Sequence, residues 1–504
     1  MRRGPLAILL ALAALAAASA APAPAAAGAP SCATPRWVAA WATSPTDAAS
    51  GGFEDQTLRQ VLVPHGTGSQ ARLRLSNRFG AEPLTVDRTT LGRRAPDATA
   101  TVAAGTLVPV TFAGQAAVTI PPGGEAVSDP IPIAVAAFEP LVVSTYFASG
   151  SGPLTQHFYA RRIPYAADGD RTGEASGEGF DALDTAASYL VTGLDVLAPA
   201  SVGAVVAFGD SLTDGYVAGA RPGEPGAAAI GADGAYPDVL QRRLLLTRGA
   251  PPLVALNAGI AGNRILDDGV IPQHGRSMLA RLHEDALTLP GVTTVILQGG
   301  ANDIGGGEPD AARVIAGLTD LVARARAAGL RVLLATMTPA EGARPGSYGD
   351  AEAEAARAAV NAWIRSGAAG DDVGIVDFDA VLRDPSAPGR LRADYDSGDG
   401  LHPNLAGYWA MAEAVDLAQF AAPACACTPR PALRVRVPKR YRSRLKRATV
   451  AVDGRRAGTI RRPRGSVRVD FRRAKGERVV IRLRIRLSGG RTVTRTHRLP
   501  RCVA

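Results

Sequence analysis

Five short apolar segments alternate with helical segments between residues 200 and 420, and this alternation limits the possible folds more than any other feature of the chain. Strands that are apolar along their whole length are buried on both faces, which is typical of parallel sheets covered by helices. The pattern therefore predicts an α/β domain over residues 200–420 with a doubly wound, parallel, five-stranded sheet. The predicted strands are Ala204–Phe208, Leu253–Asn257, Thr293–Leu297, Arg331–Thr336 and Val373–Phe378.

Two regions with a different pattern flank this α/β domain. Residues 33–199 contain short runs of alternating or β-branched residues, for example Ala71–Ser76 and Leu141–Phe147, separated by Gly, Pro and Asp clusters. This spacing predicts a β-sandwich-like domain. After a proline-containing linker over residues 421–432, similar alternating runs in residues 433–504 predict a small, basic, all-β domain.

Charge is distributed unevenly along the chain. The 504 residues carry a net charge of +10. Residues 430–504 hold 26 basic and 3 acidic residues, whereas the rest of the chain holds 30 basic and 43 acidic ones. The many arginines of this tail form either an ordinary solvated face or a surface for anionic envelope polymers or lipid headgroups. We expect no nucleic-acid partner, because Tyr441 and Phe471 are the only aromatic residues of the tail.

The composition also excludes several kinds of chemistry. Lysine occurs only at Lys439, Lys446 and Lys475, all in the tail. The body therefore has no lysine for a Schiff base, a Ser-Lys dyad or a Walker phosphate loop. The pair His283-Glu284 is not followed by a second histidine at the spacing of a zinc protease. We accordingly expect neither a metal site nor a cofactor.

The N-terminus has the features of an export signal. Two arginines follow Met1, a Leu/Ala run extends to about Ala18, and small residues come next. This order predicts a secretory signal peptide, followed by an Ala/Pro-rich stretch, within residues 1–28, with cleavage after Ala20 or near Ala27. A buried helix or a membrane anchor is the alternative. Since no other segment reaches about 18 apolar residues, we expect a secreted protein without a transmembrane segment in its mature chain.

The four cysteines are Cys32, Cys425, Cys427 and Cys502. An even number of cysteines in an exported chain predicts two disulfides, for which three pairings exist. Because Cys425 and Cys427 are too close in sequence to bridge each other comfortably, the favoured pairing is Cys32 with Cys425 and Cys427 with Cys502. Free or metal-binding thiols are the alternative.

Polar residues follow four of the predicted elements at the carboxyl ends of the strands. Serine follows the first strand in Gly209-Asp210-Ser211-Leu212, where a helix begins, and Asp399-Gly400-Leu401-His402 comes after the fifth strand. The other two blocks are Asn257–Asn263 after the second strand and Gln298–Asp303 after the third. Each block alone is an ordinary turn or helix cap. Because parallel strands bring their carboxyl ends to one edge of the sheet, all four blocks together predict one active site there. Ser211, Asp399 and His402 are the reactive side chains that these blocks offer.

These four blocks resemble the blocks of the SGNH hydrolases, in the GDSL esterase/lipase superfamily, over residues 202–420. The resemblance implies a flavodoxin-like sheet and a carboxylic ester hydrolase. It also implies that Ser211 is the nucleophile, His402 the general base and Asp399 the residue that orients His402. The oxyanion hole would comprise the backbone N–H groups of Ser211 and Gly262 and the side chain of Asn302. The region around Trp37–Trp41 and Arg74–Gly80 is similar to the leading part of two-domain bacterial members.

Several alternatives stay open at this point. The ester substrate is a lipid, an acetylated carbohydrate or a small ester. An acyltransferase would use the same triad, and a catalytically silent envelope- or carbohydrate-binding protein is disfavoured by the intact Ser211 and His402. The Gly/Ala/Pro-rich segment Tyr216–Tyr236 is either a lid or a tolerated insertion, and the N-terminal β-rich domain either lines the cleft or packs behind it. We interpret the other histidines as surface or structural residues: His65, His157, His274, His283 and His497.

Overall fold

The computed structural model describes residues 34–96, 100–344, 346–420, 433–469 and 478–500. The predicted signal peptide, the four cysteines and the linker lie outside the described residues. No helix in these five ranges is both long and apolar enough to cross a membrane.

The N-terminal region is β-rich, as predicted. Its two larger sheets have the strand orders β1-β15-β4-β9 and β13-β12-β3-β10-β6-β7, and all their neighbouring strands are antiparallel. Apolar residues of both sheets belong to one buried core. The strands are β1 (Arg36–Ala42), β2 (Asp47–Ala48), β3 (Gln56–Leu62), β4 (Ala71–Ser76), β5 (Leu84–Val86), β6 (Arg88–Arg93), β7 (Val108–Val110), β8 (Val118–Ile120), β9 (Glu125–Val127), β10 (Leu141–Phe147), β11 (Thr155–His157), β12 (Tyr165–Asp168), β13 (Asp181–Ala182), β14 (Ser188–Tyr189) and β15 (Val191–Ala198).

The following domain contains the predicted five-stranded parallel sheet. Its strands are β16 (Gly203–Gly209), β17 (Leu253–Gly259), β18 (Val292–Leu297), β19 (Arg331–Ala335) and β20 (Gly374–Val376). The strand order is β17-β16-β18-β19-β20, and every neighbouring pair is parallel. This is the flavodoxin-like order, in which the first strand lies between the second and the third. The crevice at the carboxyl end of that first strand is where ligands bind in such sheets.

In the part of the chain that the structure describes, eight α-helices connect or follow these strands. They are α1 (Ser211–Asp214), α2 (Tyr236–Leu246), α3 (Met278–Leu282), α4 (Ala301–Gly305), α5 (Ala311–Ala327), α6 (Ala351–Arg365), α7 (Phe378–Leu382) and α8 (Leu405–Ala414).

The fifth strand was predicted as Val373–Phe378, but β20 ends earlier, at Val376. Asp377 ends the strand because its side chain accepts a hydrogen bond from the backbone N–H of Ala380 and thereby caps α7.

The N-terminal region and the α/β domain share one hydrophobic core. Val38 of β1 is fully buried and lies against Gly291, which precedes β18. The backbone N–H of Ala39 donates to the carbonyl of Pro290, 2.9 Å away, and the Arg36 guanidinium donates to the carbonyl of Val202, 2.8 Å away. Because the buried surfaces are continuous, separating the two regions would expose apolar area on both.

A short hairpin of β21 (Arg383–Asp384) and β22 (Ala387–Leu391) is the last strand pair of the α/β domain.

The described part of the tail consists mainly of β-strands. In the tail, a four-stranded antiparallel sheet has the order β25-β24-β27-β28, and β23 pairs with β26. The tail strands are β23 (Leu433–Arg436), β24 (Leu445–Val452), β25 (Arg455–Ile460), β26 (Ser466–Val469), β27 (Arg478–Leu487) and β28 (Thr492–Pro500).

Candidate active site

Ser211 lies at the turn from β16 into α1. The preceding residue, Asp210, caps the helix, because its side chain accepts a hydrogen bond from the backbone N–H of Leu212 at 3.0 Å. Asp210 therefore caps helix α1, and the Ser211 hydroxyl remains available for other hydrogen bonds. Burial raises the pKa of Asp210 to about 6. Helix α1 has only 4 residues, so its dipole contributes little to anion binding at Ser211.

His402 lies between Ser211 and Asp399. Its Nε2 atom is 3.0 Å from the Ser211 Oγ atom, and its Nδ1 atom is 2.7 Å from the Asp399 Oδ2 atom. The other carboxylate oxygen of Asp399 accepts the backbone N–H groups of Leu401 and His402 at 2.9 and 2.8 Å. Burial alone would raise the pKa of Asp399, but the hydrogen bonds and the nearby imidazole lower it to about 2. The carboxylate is consequently ionised at neutral pH and holds the imidazole by its Nδ1 atom.

Gly262 lies in the loop that follows β17. Its φ angle is +77°, in the left-handed region that favours glycine. A Cβ atom at this position would lie 2.3 Å from the ring of His274. In the structure, backbone conformation and the His274 ring already require glycine here.

Asn302 is the second residue of α4, and Asp303 follows it. The Asn302 side chain donates to the carbonyl of Asn263 at 2.8 Å, and its Oδ1 atom accepts the hydroxyl of Tyr348 at 2.6 Å. The Asp303 carboxylate accepts the backbone N–H groups of Ile265 and Leu266. Two adjacent side chains of α4 thus hold the loop that contains Gly262.

The same loop is also joined to the serine block. The backbone N–H of Ala261 donates to the Asp214 side chain at 3.0 Å, and the backbone N–H of Ile260 donates to the carbonyl of Gly209 at 3.1 Å. The four sequence blocks therefore meet at one edge of the sheet, as predicted from its topology. Ser211, Asn302 and His402 are each less than a tenth exposed, at 6%, 7% and 9%.

Two tyrosine rings lie in sequence beside His402, one in contact with it and the other in contact with the first. The Tyr216 ring lies 4.6 Å from the His402 ring, and Tyr159 of the N-terminal region lies 5.4 Å from Tyr216. The segment that begins with Tyr216 is ordered by several contacts: the backbone N–H of Gly231 donates to the carbonyl of Arg161, and Ala218 donates to the Ser397 side chain. The N-terminal region therefore reaches His402 through ring contacts.

Arg281 on α3 connects more parts of the site than any residue that the sequence analysis selected. It is 2% exposed, and its guanidinium donates to the carbonyls of Gly209 and Ala258 at 2.8 and 2.9 Å. It also donates to the Asn263 side chain at 2.9 Å. Its charge is balanced by Asp285, 3.2 Å away.

A second arginine joins this network from the N-terminal region. Arg78 forms an ion pair with Asp285 at 2.6 Å, and both carboxylate oxygens of Asp285 are thereby paired. Arg281 also donates to the Ser44 hydroxyl at 3.2 Å. The sequence offers one weak signal for the network, which is the spacing of Arg281 and Asp285 by four residues on a helical segment.

We expect Arg281→Met to lower the free energy of unfolding by about 3–5 kcal/mol, because it leaves buried acceptors and part of a buried charge without a partner. Urea or thermal unfolding followed by circular dichroism measures this change. The matched control is Arg326→Met, since Arg326 and Asp372 form an exposed ion pair at 2.9 Å. Exposed pairs contribute roughly 0–1 kcal/mol. Equal, small losses in both variants would contradict a structural role for the buried network.

Two further histidines lie at the boundary with the N-terminal region. The Nε2 atoms of His65 and His157 are each 3.4 Å from a carboxylate oxygen, of Asp238 and Asp214 respectively. Both residues line a cavity of about 80 Å³ between the two regions, which reaches Gly259. These contacts fit the structural role that the sequence analysis gave to both histidines. Within the described ranges, no three His, Cys, Asp or Glu side chains are grouped so as to hold a metal ion.

Sequence reasoning missed four residues that contact the site: Tyr216, His274, Arg281 and Tyr348. No local pattern marks the two tyrosines, because each reaches its partner across the fold rather than along one element. His274 was recognised only as a structural histidine. Its ring lies on the Gly262 loop, and burial, with a smaller effect of Arg264, lowers its pKa.

A parallel sheet of this order with a serine, an imidazole and a carboxylate in hydrogen-bond contact is typical of α/β hydrolytic enzymes. Residues 207–410 match the model of the GDSL-like lipase/acylhydrolase family. The protein is a carboxylic ester hydrolase. No curated protein matches the chain.

Similar solved structures include three bacterial proteins. A carbohydrate acetylesterase family member from Sinorhizobium meliloti is 20% identical, with a TM-score of 0.34, over 42% of this chain and 95% of its own. The aryl esterase of M. smegmatis is 18% identical, with a TM-score of 0.32, over 42% and 95%. A GDSL-like lipase from Bacteroides thetaiotaomicron is 19% identical, with a TM-score of 0.32, over 44% and 88%. The family assignment rests on the matched segment and not on these three structures.

Proposed function

We propose that the protein is a secreted serine esterase that hydrolyses carboxylic esters through an acyl-enzyme intermediate. The observation that carries this proposal is the unbroken contact from Ser211 through His402 to Asp399, with distances of 3.0 and 2.7 Å. A hydroxyl, an imidazole and a carboxylate in this order constitute an activated nucleophile.

In the proposed reaction, the Ser211 Oγ atom attacks the ester carbonyl while the Nε2 atom of His402 takes the hydroxyl proton. The Asp399 carboxylate holds the Nδ1–H tautomer and stabilises the imidazolium. Collapse of the tetrahedral intermediate breaks the bond to the alcohol, which leaves with the proton from His402. Water then attacks the acyl-enzyme with the same base, and the carboxylic acid and free Ser211 are released.

Three donors are proposed for the negative charge on the tetrahedral intermediate: the backbone N–H groups of Ser211 and Gly262 and the side-chain amide of Asn302. The hydrogen bond from Asn302 to the carbonyl of Asn263 supports this assignment, because it joins α4 to the loop that contains Gly262. One such donor typically contributes about 2.7–4 kcal/mol to the lowering of the barrier.

The proposed function is tested by hydrolysis of p-nitrophenyl esters of increasing acyl length, together with labelling by a fluorophosphonate. We expect turnover, and we expect the covalent label on the peptide that contains Ser211. The chain-length profile would define the acyl pocket. Added alcohols or sugars that divert the product from acid to ester would favour the acyltransferase alternative, and a folded protein that takes no label would favour a binding protein.

The signal peptide predicted within residues 1–28 supports secretion, and sequencing the N-terminus of the mature protein would show whether cleavage follows Ala20 or lies near Ala27.

We also propose that the basic tail binds an anionic envelope polymer or an anionic lipid surface. On β27, Arg482, Arg484 and Arg486 are exposed, while Leu483 and the other alternate residues are buried. Among the described residues, none of these three arginines forms an ion pair.

If this arginine row binds by charge, retention of the full chain on heparin or on phosphatidylglycerol vesicles will fall steeply as salt rises. Changing Arg482, Arg484 and Arg486 together to alanine should lower the salt concentration needed for elution. The matched control changes three exposed arginines of α5 to alanine: Arg313, Arg324 and Arg326. Equal elution of both triple variants, or retention that does not depend on salt, would contradict binding through β27.

A further inference from the structure

Asn302 has a side-chain amide whose orientation decides whether it can act as a donor at all. The amide offers two N–H bonds on one side and an acceptor oxygen on the other. In the structure, one N–H is used on the carbonyl of Asn263, at 2.8 Å. A flipped amide would place its oxygen against this carbonyl oxygen and would lose the bond. The second N–H remains for a substrate oxyanion only if the amide keeps this orientation.

The opposite side of the amide is held by Tyr348. Its hydroxyl lies 2.6 Å from the Asn302 Oδ1 atom and donates to it. Burial raises the pKa of Tyr348 to about 12, so the hydroxyl keeps its proton at neutral pH. A donor at the amide oxygen also polarises the amide and strengthens its N–H groups as donors.

The position of Tyr348 is fixed independently of Asn302. Its ring lies directly over Gly305 at the end of α4, where a Cβ atom would be 2.3 Å from the ring. The neighbouring Ser347 hydroxyl donates to the Gly305 carbonyl at 2.8 Å. Tyr348 therefore arrives at Asn302 on a segment that is already attached to the same helix.

From this geometry we propose that Tyr348 is a positioning residue of the oxyanion hole. It acts through Asn302, holds the amide in the donating orientation and strengthens the free N–H toward the developing negative charge. The inference rests on the proposed function, since it assumes that Asn302 stabilises a tetrahedral intermediate. It assigns to the loop between β19 and α6 a role in the rate of the chemical step.

The test compares Tyr348→Phe, Asn302→Ala and the double variant in p-nitrophenyl ester hydrolysis. Tyr348→Phe keeps the ring over Gly305 and removes only the hydroxyl. We expect kcat to fall about five- to twentyfold with KM within about twofold, the loss expected for one hydrogen bond that matters in the transition state. In the Asn302→Ala background, the same change should have less than about a twofold effect, because the amide through which it acts is gone.

A second readout separates positioning from simple structural support. A trifluoromethyl ketone forms a tetrahedral adduct, and its inhibition constant should rise in Tyr348→Phe by the same factor as kcat falls. Tyr146→Phe is the matched control, because it removes a tyrosine hydroxyl that donates to Asp55 at 2.8 Å in the N-terminal region. It should leave both values within about twofold of wild type.

An equal loss of kcat with and without Asn302, or unchanged kcat in Tyr348→Phe, would overturn the inference. The labelling of Ser211 tests the proposed function separately. A labelled, active enzyme in which Tyr348→Phe behaves like wild type would refute only the role of Tyr348.

Discussion

Replacing Ser211 with alanine will lower kcat by about 10⁶-fold and leave only the roughly 10³–10⁴-fold acceleration that substrate binding and an oxyanion hole provide. The change removes the nucleophile, and neither His402 nor Asp399 can form an acyl-enzyme in its place. The fold should be unaffected, because Asp210 and not Ser211 provides the helix cap. Hydrolysis of p-nitrophenyl esters measures the loss, and circular dichroism checks that the variant is folded.

Ser366→Ala is the matched control for this variant. Ser366 is an exposed serine at the end of α6 whose hydroxyl donates to the carbonyl of Trp363. Its activity should equal that of wild type. Residual turnover above about one part in a hundred in purified, folded Ser211→Ala would mean that another group attacks the ester, and it would refute Ser211 as the nucleophile.

Replacing Asp399 with asparagine will reduce kcat by roughly 10⁴-fold while the protein remains folded. The Oδ1 atom of Asp399 accepts two backbone N–H groups, so an asparagine will keep its oxygen on that side. Its NH₂ group will then face the Nδ1 atom of His402, which has to accept rather than donate. The imidazole proton moves to Nε2, and His402 can no longer take the proton of Ser211.

The neighbouring Asp396→Asn is the control for the second variant. Asp396 lies in the same loop and accepts the backbone N–H groups of Gly398 and Gly400 at 2.8 and 3.0 Å. An asparagine oxygen can accept the same two bonds, so activity should fall less than tenfold. That limit corresponds to a rise of about 1.4 kcal/mol in the activation free energy. Full activity in Asp399→Asn would show that the triad assignment is wrong, although a pair of Ser211 and His402 would still be possible.

Both variants concern residues of the α/β domain, but the structure makes the N-terminal region part of the same unit. Arg78 pairs with Asp285, which also pairs with the buried Arg281 on α3. Arg281 in turn holds the carbonyl of Gly209 just before the serine block. The sequence analysis left open whether the N-terminal region lines the cleft or packs behind it. The contacts show a region that shares its core with the catalytic domain and supports the site from one side.

The sequence by itself determined the parallel sheet and the meeting of the four blocks at one edge of it, and the resemblance of those blocks supplied the five residues proposed to act there. Apolar strands separated by helices leave few arrangements, and a parallel sheet brings all carboxyl ends to one edge. Ser211 and His402 are 191 positions apart, yet this topology was enough to predict that they meet. The ends of the strands were harder to predict, because a single side chain such as Asp377 can cap the next helix and thereby end the strand.

Only the tertiary structure decided which side chains hold those five residues in place. Hydrophobic periodicity encodes which face of an element is buried, but it does not encode the partner that a buried polar group will find. Arg281 was one of four charged residues, besides a histidine, between positions 276 and 285, and Tyr348 was one aromatic residue in a loop. Each became part of the site because a buried donor must find an acceptor, and in this fold the available acceptors are on other elements.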